Sequence, residues 1–275
     1  MTWDNWESVR GGRVLFEDAA ALVLNKPAGI SVTGERHETD LVRLAADHGE
    51  TLYPAHRIDK VTSGAILFAR QLRHHGDLTR QFNRRTVDKA YLAVTRTGGL
   101  PDWGVIDLPL SVGRKNRVRI AAERAAIVTD GRHWSVPADS VFTQVSTYPS
   151  VTAFATVWTD DVHTLLVVRP ITGRRHQIRV HLAWIGHELA GDPLFGRIET
   201  DRRTLLHAWR LAFDAEWLDG RRMALHAPPG EDFWAPLDMH SLPEVLLYQA
   251  DQRLTELRER TAGLRPADDG SPSEE

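Results

Sequence analysis

The run from Ala65 to Ala69, with the sequence AILFA, contains no polar residue and directly follows the pair Ser63-Gly64. A continuous apolar run of this length after a turn signal is typical of a buried strand. Such a strand requires other elements packed against it, so the chain must build a core around it. With 275 residues, of which 42% are hydrophobic, the chain is long enough to do so in one large domain or two small ones.

Other periodic segments give the chain a mixed α+β character. Strand patterns occur in RVLFE (13–17), AALVLN (20–25), Lys89–Thr95, VRIAA (118–122), TAFATVW (152–158), TLLVVR (164–169), Leu205–Phe213 and Met223–Ala227. Helix patterns occur in Asp40–His48, Arg73–Asn83, Ile178–Gly186 and, after the capping-box residues Ser241 to Glu244, as far as about Leu264. We therefore predict an α+β fold with strands in excess.

The parts of the chain differ in composition. Residues 1–12 form an N-terminal extension without periodic apolar residues, and residues 13–240 form the main domain. A polar stretch at about 121–147 predicts an insertion or a long hairpin within that domain. Residues 241–264 form a C-terminal helix, and the acidic tail 265–275, poor in apolar residues, is predicted to be disordered.

Composition excludes several classes of protein. The chain has no cysteine, so it forms neither a disulfide nor a thiolate metal site, which fits a reducing cytoplasm. Its first thirty residues lack the apolar stretch of a secretion signal, and no segment approaches the roughly 20 apolar residues of a membrane span. We therefore expect a cytoplasmic protein without membrane contact.

The distribution of charge favours an anionic partner although the net charge is −3. Three tracts are rich in Lys and Arg: residues 70–96 have seven against two acids, and residues 114–119 and 169–179 have four each and no acid. One electropositive face suffices for an acidic protein to bind a phosphate backbone. Charge alone leaves open the alternative that these tracts are ordinary solvated faces.

Reactive groups cluster in the segment HRIDKVTSG (56–64), immediately before the buried strand. Asp59 lies there between the cations Arg57 and Lys60, in a loop that a rigid sheet can hold in place. Two interpretations remain open from these residues alone. Asp59 is either a catalytic carboxylate or one half of an Arg–Asp pair that closes the loop.

A second cluster, residues 172–182, contains three arginines and two histidines within eight residues. If the segment is helical, Ile178 and Leu182 face the core, and Arg175 and Arg179, four residues apart, share a common side. So many cations are difficult to explain as surface decoration.

The histidines of this region also suggest a metal site, which we consider and reject. His176, His181 and His187 are spaced by five and six residues, so they do not match a helical i, i+4 pair. Imidazoles among several arginines also make a poor cation site. We predict no bound metal.

The third segment, KAYLAV (89–94), alternates like a strand and places Tyr91 beside basic residues. In isolation, this pattern favours a half-buried strand with Tyr91 in the core.

Together these segments resemble the RluA-type RNA pseudouridine synthases. The family motif HRLDxxTSGLLLFAK is similar to HRIDKVTSGAILFAR (56–70), and GRxHQIRVHLxxxGHPLxGDxLYG is similar to GRRHQIRVHLAWIGHELAGDPLFG (173–196). The shorter KPAG, KxYxA and LLHAxxLxF motifs match residues 26–29, 89–93 and 205–213 in the family's order. The resemblance covers roughly residues 13–236, and its small departures at Ile58, Ala65 and Glu188 do not involve a reacting group.

Two larger departures concern recognition. The loop Thr33–Asp40 lacks the family's more common valine-histidine-proline run, and the stretch from about Ala121 to Thr147 is longer than usual. Both segments are candidates for selecting which RNA is bound.

The resemblance implies the pseudouridine synthase catalytic fold, a mixed, mainly antiparallel central β-sheet with flanking helices and loops. It assigns Asp59 as the carboxylate that attacks C1′ of the uridine or removes a proton from C2′, with attack on C6 of the base as an older alternative. By the same resemblance Arg179 keeps Asp59 ionised, Tyr91 packs on the flipped uracil and acts as a base at C5, and Arg57 reaches into the RNA. The product is an isomer of the substrate, so no cofactor or metal is implied.

RNA, either ribosomal or transfer RNA, is the partner that the resemblance implies, and we expect a stem-loop as the substrate and a monomeric protein. RNA contacts are assigned to Arg57, Lys60, Arg84, Arg85, Lys89, Arg114, Lys115, Arg117, Arg174, Arg175 and His176. Only about a dozen residues precede the first predicted strand, so we expect no N-terminal S4-type RNA-binding module. Recognition then falls to the main domain, the insertion and the C-terminal helix.

Two other functions are compatible with parts of the pattern. A catalytically inactive RNA-binding paralogue would keep the fold, but it would not need Asp59, Tyr91 and Arg179 together. A glycosidase normally needs a second catalytic carboxylate about 5–10 Å from the first, and none of the three segments offers an obvious one. The function we predict is therefore that of an RNA pseudouridine synthase.

Overall fold

A computed structural model describes residue 3 and residues 5–34, 39–96, 98–113, 117–196, 203–237 and 243–264. The chain divides into two compact units: the first contains Met1–Tyr91 and Leu206–Phe233, and the second contains Leu92–Leu205 and Trp234–Glu275. The predicted α+β class, with mainly antiparallel β-sheet and flanking helices, is confirmed.

The elements are numbered along the chain. The strands are β1 (Val14–Glu17), β2 (Ala21–Lys26), β3 (Tyr53–Pro54), β4 (Ser63–Ala69), β5 (Asp88–Arg96), β6 (Trp103–Asp107), β7 (Leu110–Val112), β8 (Val118–Ile120), β9 (Val128–Thr129), β10 (His133–Ser135), β11 (Thr147–Tyr148), β12 (Val151–Thr159), β13 (His163–Pro170), β14 (Leu206–Ala215) and β15 (Arg221–His226). The α-helices are α1 (Trp6–Arg10), α2 (Leu41–Asp47), α3 (Leu72–Asn83), α4 (Gln177–Trp184), α5 (Glu231–Trp234) and α6 (Pro243–Arg260). Short 3₁₀ turns cover Arg124–Ala126, Ala138–Ser140, Glu216–Leu218 and Ala235–Leu237.

The sheet of the first unit has the strand order β1-β2-β4-β14-β15, with β3 also paired to β4. β4 and β14 are parallel, and the other pairs in this unit are antiparallel. Because side chains alternate between the faces of a strand, Ile66 and Phe68 of β4 enter one apolar cluster with α1 and α2. Leu67 and Ala69 enter a second cluster with Leu78 of α3. Burial on both faces explains the continuous apolar run in β4.

Gly64 allows β4 and β14 to lie side by side. Its φ is +109°, and a Cβ built there would lie 2.2 Å from the carbonyl oxygen of Ala208. A residue with a side chain would therefore collide with the backbone of β14. The glycine of the TSG motif is required by this close approach of two backbones.

Helix α1 was not predicted, since the first twelve residues show no apolar period. The helix is only five residues long, and Asn5 caps it by accepting a hydrogen bond from the backbone N–H of Ser8 at 2.7 Å. Trp6 and Val9, three positions apart, are buried in the same cluster as α2. Tertiary packing rather than a long repeat stabilises this short helix.

The second unit contains a larger sheet with the order β5-β13-β12-β6-β10-β9 and a small sheet with the order β11-β7-β8. Helix α6 packs on β12 and β13. Its buried residues, Leu246, Ala250, Leu254 and Leu257, recur at helical spacing and form the apolar stripe expected of such a helix. The helix ends at Arg260, four residues before the predicted end, and the capping-box residues Ser241 and Leu242 lie outside the described residues.

The polar stretch at 121–147 contains the antiparallel pair β9–β10, and β10 pairs in parallel with β6. This segment therefore extends the edge of the larger sheet. Strands β3, β6, β7 and β11 were not predicted from the sequence. The predicted domain boundaries stay predictions, and the tail 265–275 lies outside the part of the chain that the structure describes.

The prediction that Arg175 and Arg179 share one side of a helix is wrong. Helix α4 begins at Gln177, after His176, whose φ of 56° is left-handed and ends any helix that would come from the N-terminal side. Arg175 consequently precedes the helix and is exposed, whereas Arg179 lies inside it and is only 3% exposed.

Candidate active site

Asp59 lies in the loop between β3 and β4, and main-chain hydrogen bonds fix that loop. The N–H of Gly29 donates to the carbonyl oxygen of Lys60 at 2.8 Å, and the N–H of Thr62 donates to that of Asp59 at 3.0 Å. The side chain of Asp59 is half-buried, as is that of Lys60, whereas Arg57 is exposed. The loop therefore holds a partly desolvated carboxylate beside an exposed arginine.

The ammonium group of Lys26 supports the same loop from within the protein. Lys26 has no exposed surface, and its Nζ donates to the carbonyl oxygens of Pro27 at 2.9 Å, Ile30 at 2.7 Å and Lys60 at 3.4 Å. A buried charge is tolerated when hydrogen bonds compensate for its lost hydration. From the sequence, residues 26–29 were identified only as the KPAG motif of the family resemblance. The signal missed there was a lysine at the end of an apolar strand.

Tyr91 on β5 interacts electrostatically with Asp59. Its ring packs against the apolar cluster that includes Ile58 and Ile66. Burial, and in second place the negative charge of Asp59, raise the pKa of the Tyr91 phenol above its usual value. The structure thus brings together two of the three residues assigned to catalysis, with the tyrosine as a neutral phenol beside the carboxylate.

A buried Ser–His pair follows the Asp59 loop. Ser63, the first residue of β4, lies 2.7 Å from Nδ1 of His207 on β14, and Nε2 of that histidine lies 2.8 Å from the carbonyl oxygen of Ala227. Both Ser63 and His207 are almost completely buried. Neither residue was singled out from the sequence, although each belongs to a motif that the family resemblance identified.

Arg179 forms a buried, two-pronged ion pair with Asp192. Nε donates to Oδ2 at 2.7 Å, and a terminal nitrogen donates to Oδ1 at 2.8 Å. Burial would raise the pKa of Asp192, but the hydrogen bonds and charge of Arg179, with the N–H groups of Leu194 and Phe195, lower it below its ordinary value. The guanidinium is thereby held in one orientation, with the ring of Phe195 5.4 Å away. The predicted pairing of Arg179 with Asp59 stays a prediction.

Hydrogen bonds hold helix α4, which carries Arg179, at both ends. Gln177 accepts from the hydroxyl of Thr172 at 2.6 Å and donates to the carbonyl oxygen of Val151 at 3.0 Å. At the other end, the guanidinium of Arg124 donates to the carbonyl oxygens of Ala183 and Trp184, the latter at 2.9 Å. Arg124 belongs to the 121–147 segment, so this segment supplies a C-terminal cap for α4.

The residues assigned to RNA contact differ in accessibility. Those that are exposed are Arg57, Arg84, Arg85, Arg117 and Arg175, and those that are half-buried are Lys60, Lys89, Arg174 and His176. The guanidinium of Arg174 lies 5.2 Å from the ring of Tyr148. Arg114 and Lys115 lie outside the described residues.

Lys89 is the most perturbed of these cations. Burial, and then the charge of Arg85, lower its pKa to about 8, although Asp88 opposes the shift. Its Nζ lies 5.8 Å from the ring of Phe82, on which His56 stacks at a centroid distance of 4.2 Å. Burial and the charge of Lys89 lower the pKa of His56 to about 3, so this histidine is neutral and accepts a hydrogen bond from the N–H of Leu67.

Within the described ranges, no group of three or more His, Asp or Glu side chains is arranged to hold a metal ion. His181 instead lies buried with Nε2 3.0 Å from the carbonyl oxygen of Leu108. No helix in the described part of the chain is both long enough and apolar enough to span a membrane.

Comparisons with known proteins point to one family. Residues 20–184 match the family model described as RNA pseudouridylate synthase. The chain is 35% identical over 218 residues to ribosomal large subunit pseudouridine synthase D of Nitrosomonas europaea, which covers 72% of this chain but only 57% of that relative. It is 32% identical over 239 residues to tRNA pseudouridine synthase C of Pasteurella multocida, which covers 75% of this chain and 93% of that relative.

Solved structures support the same fold. The human protein named RNA pseudouridylate synthase domain containing 4 matches with a TM-score of 0.64, over 89% of this chain and 95% of that chain. Its sequence identity is 22%, so this likeness establishes the fold alone.

Proposed function

The chain belongs to the RNA pseudouridylate synthase family, and on that basis we propose that it converts uridine to pseudouridine at specific positions of a structured RNA. We propose that it does so as a cytoplasmic monomer without a cofactor or metal. The observation that carries the proposal is the half-buried carboxylate of Asp59, held on an anchored loop and electrostatically coupled to Tyr91.

Asp59 is proposed as the group that starts the reaction. The bond between C1′ and N1 must break, and C5 must then bond to C1′. A carboxylate can promote the first step by attacking C1′ or by removing a proton from C2′, and in either case it must be ionised. The target uridine must first leave the RNA stack, which costs a few kcal/mol.

The raised pKa of Tyr91 suggests an order for its two proposed roles. While Asp59 is ionised, the phenol keeps its proton and offers an apolar ring to the flipped uracil. Once Asp59 has bonded to C1′ or taken up a proton, its negative charge is neutralised, and one of the two causes of the raised pKa disappears. Tyr91 can accept the C5 proton only if it releases its own, and N1 of the uracil, which carries a proton in the product, can take up that proton. We therefore propose that this exchange of protons follows the reaction of Asp59.

Two arginines complete the proposed set. Arg179 is assigned by the family resemblance as the cation that keeps Asp59 ionised, and its orientation by Asp192 supports a role that depends on a fixed guanidinium. Arg57 is exposed next to Asp59, which suits a planar donor that enters the RNA beside the flipped nucleotide.

The substrate is proposed to be a stem-loop of ribosomal or transfer RNA. The two relatives described above are named for these two RNA classes, and both have similar identity to this chain. The exposed arginines Arg84, Arg85 and Arg117 are proposed to contact phosphates, which provides affinity and register rather than sequence choice.

The decisive experiment maps pseudouridine in total RNA from cells that lack the gene, complemented with wild type or Asp59→Asn. We expect at least one modified uridine to disappear with the gene, to return with wild type and to stay absent with Asp59→Asn. Asp219→Asn is the matched control, because Asp219 is exposed and has a left-handed φ of 54° that asparagine also tolerates. Full restoration by Asp59→Asn would show that the proposal is wrong.

A further inference from the structure

A cavity of about 150 Å³ lies in the second unit, and none of its lining residues belongs to the proposed catalytic or RNA-contacting set. It lies where α6 faces the strands of the larger sheet. The polar and aromatic side chains that line it are Asp102, Trp103, Arg132, Arg253, Glu256 and Arg260. Three of these six are arginines.

Two of the arginines converge on one aromatic ring from distant parts of the chain. The guanidinium carbon of Arg132, in the turn between β9 and β10, lies 5.5 Å from the centroid of the Trp103 ring. That of Arg260, at the end of α6, lies 5.1 Å from the same centroid. Cation–π contact orients a guanidinium but does not use its N–H groups, so both side chains keep their donors for a ligand.

The carboxylates of the cavity do not neutralise these two cations. Among the residues that the structure describes, neither the Arg132 nor the Arg260 side chain forms a hydrogen bond or an ion pair. Glu256 instead pairs with Arg253 at 3.3 Å, one turn away on the same helix. The remaining carboxylate, Asp102, lines the cavity together with these two guanidinium groups, so the lining side chains carry one positive charge in excess.

The position of Arg260 on helix α6 does not by itself explain why two arginines converge on the cavity. Arg260 lies in the last turn of the helix, where a cation is favourable whatever it binds. Arg132 has no such reason to lie here, since it comes from an exposed hairpin turn in the 121–147 segment. Forked N–H donors directed into one cavity match the oxygens of a phosphate group better than any neutral ligand.

We propose that this cavity binds a backbone phosphate of the RNA. The inference rests on the proposed function, because that function makes RNA the partner. It assigns the 121–147 segment and the C-terminal end of α6 a direct part in holding the substrate. A free phosphate ion presents the same oxygens, so the test must distinguish binding of an RNA phosphate from binding of a free phosphate ion.

The test measures binding of a fluorescein-labelled oligouridylate by fluorescence anisotropy at several salt concentrations. Phosphate contacts are independent of sequence, so a generic RNA is a sufficient probe. We expect Arg132→Ala and Arg260→Ala each to weaken binding several-fold and to reduce the slope of log affinity against log salt by about 0.7. Arg132→Lys should keep the slope, because it keeps the charge. It should lose part of the affinity, because lysine lacks the forked N–H donors of the guanidinium group.

Arg221→Ala is the matched control, because Arg221 is an exposed arginine on β15 in the other unit and its loss changes the net charge equally. Thermal unfolding of each variant checks that the fold is kept. If both cavity variants bind RNA with the affinity and salt slope of Arg221→Ala, the inference is wrong. If they do so, and inorganic phosphate quenches tryptophan fluorescence in the wild type but not in the two cavity variants, the cavity binds free phosphate and the RNA assignment is overturned.

Pseudouridine formation by the same proteins separates this inference from the proposed function. A wild type that forms no pseudouridine contradicts the proposed function. If the wild type modifies RNA but the cavity variants bind RNA as Arg221→Ala does, only the proposed binding of an RNA phosphate by the cavity is contradicted.

Discussion

The hydroxyl of Ser63 donates a 2.7 Å hydrogen bond to Nδ1 of His207, although the two residues are 144 positions apart. The direction follows from the other ring nitrogen: Nε2 lies 2.8 Å from the carbonyl oxygen of Ala227, which can only accept, so the neutral ring carries its proton there. The pair ties the start of β4 to β14, four residues after Asp59. It therefore helps hold the loop that carries the proposed catalytic carboxylate.

We expect Ser63→Ala to lower the free energy of unfolding by about 1–3 kcal/mol, because it removes the donor of a buried hydrogen bond. Catalysis should also suffer, with kcat falling more than KM rises, since the Asp59 loop loses an anchor but no RNA contact. Urea unfolding and tritium release from uracil C5 measure the two effects. Ser146→Ala, at an exposed serine, is the control. Equal behaviour of the two variants would refute the anchoring role.

The 121–147 segment is expected to stabilise α4 through Arg124. Arg124→Ala removes the guanidinium bonds to the carbonyl oxygens of Ala183 and Trp184, which should lower the free energy of unfolding by about 1 kcal/mol. Hydrogen exchange should rise at the last turn of α4 in particular. Arg221→Ala serves again as the exposed control. Unchanged exchange in α4 would contradict the capping interpretation.

His56 is expected to make the fold sensitive to acid. Its folded pKa of about 3 lies below the value of 6.5 expected in the unfolded chain. As the pH falls from 6.5 toward 3, the unfolded chain binds a proton that the folded state cannot, so the free energy of unfolding falls by up to about 1.4 kcal/mol per pH unit.

The comparison variant is His56→Gln, whose side-chain oxygen can still accept from the N–H of Leu67. Urea unfolding between pH 7 and pH 4 should show a shallower loss of stability in this variant. His181, whose pKa burial lowers to about 4, acts in the same direction but is present in both proteins. Identical pH slopes would rule out His56 as the cause.

Lys89 is expected to make RNA binding dependent on pH. Burial and the charge of Arg85 lower its pKa to about 8, so its ammonium loses a proton as the pH rises from 7 to 9. If Lys89 contacts a phosphate, the salt slope for oligouridylate should become smaller by about 0.7 over this range. Lys89→Arg keeps its charge and should show the same slope at both pH values. A wild-type slope independent of pH would remove Lys89 from the RNA-contacting set.

Local sequence was sufficient for much of the fold. The apolar run in β4, the alternation in β5 and the cap residue Asp40 at the head of α2 are each encoded within a few neighbouring positions. The elements predicted from such patterns are present, whereas α1 and strands β3, β6, β7 and β11 were missed, because tertiary packing rather than a local repeat determines them.

The candidate active site likewise has some features that the sequence determines and others that only the tertiary structure shows. The sequence by itself determined the family, the residue proposed as nucleophile or base, and the basic character of the chain's RNA-contacting candidates, because these depend on residue identity and motif order. Only the tertiary structure showed the coupling of Tyr91 to Asp59, the burial of Lys26 under the Asp59 loop and the bond from Ser63 to His207. These relationships depend on which strands are neighbours, and strand neighbours distant in the chain leave no local pattern in the sequence.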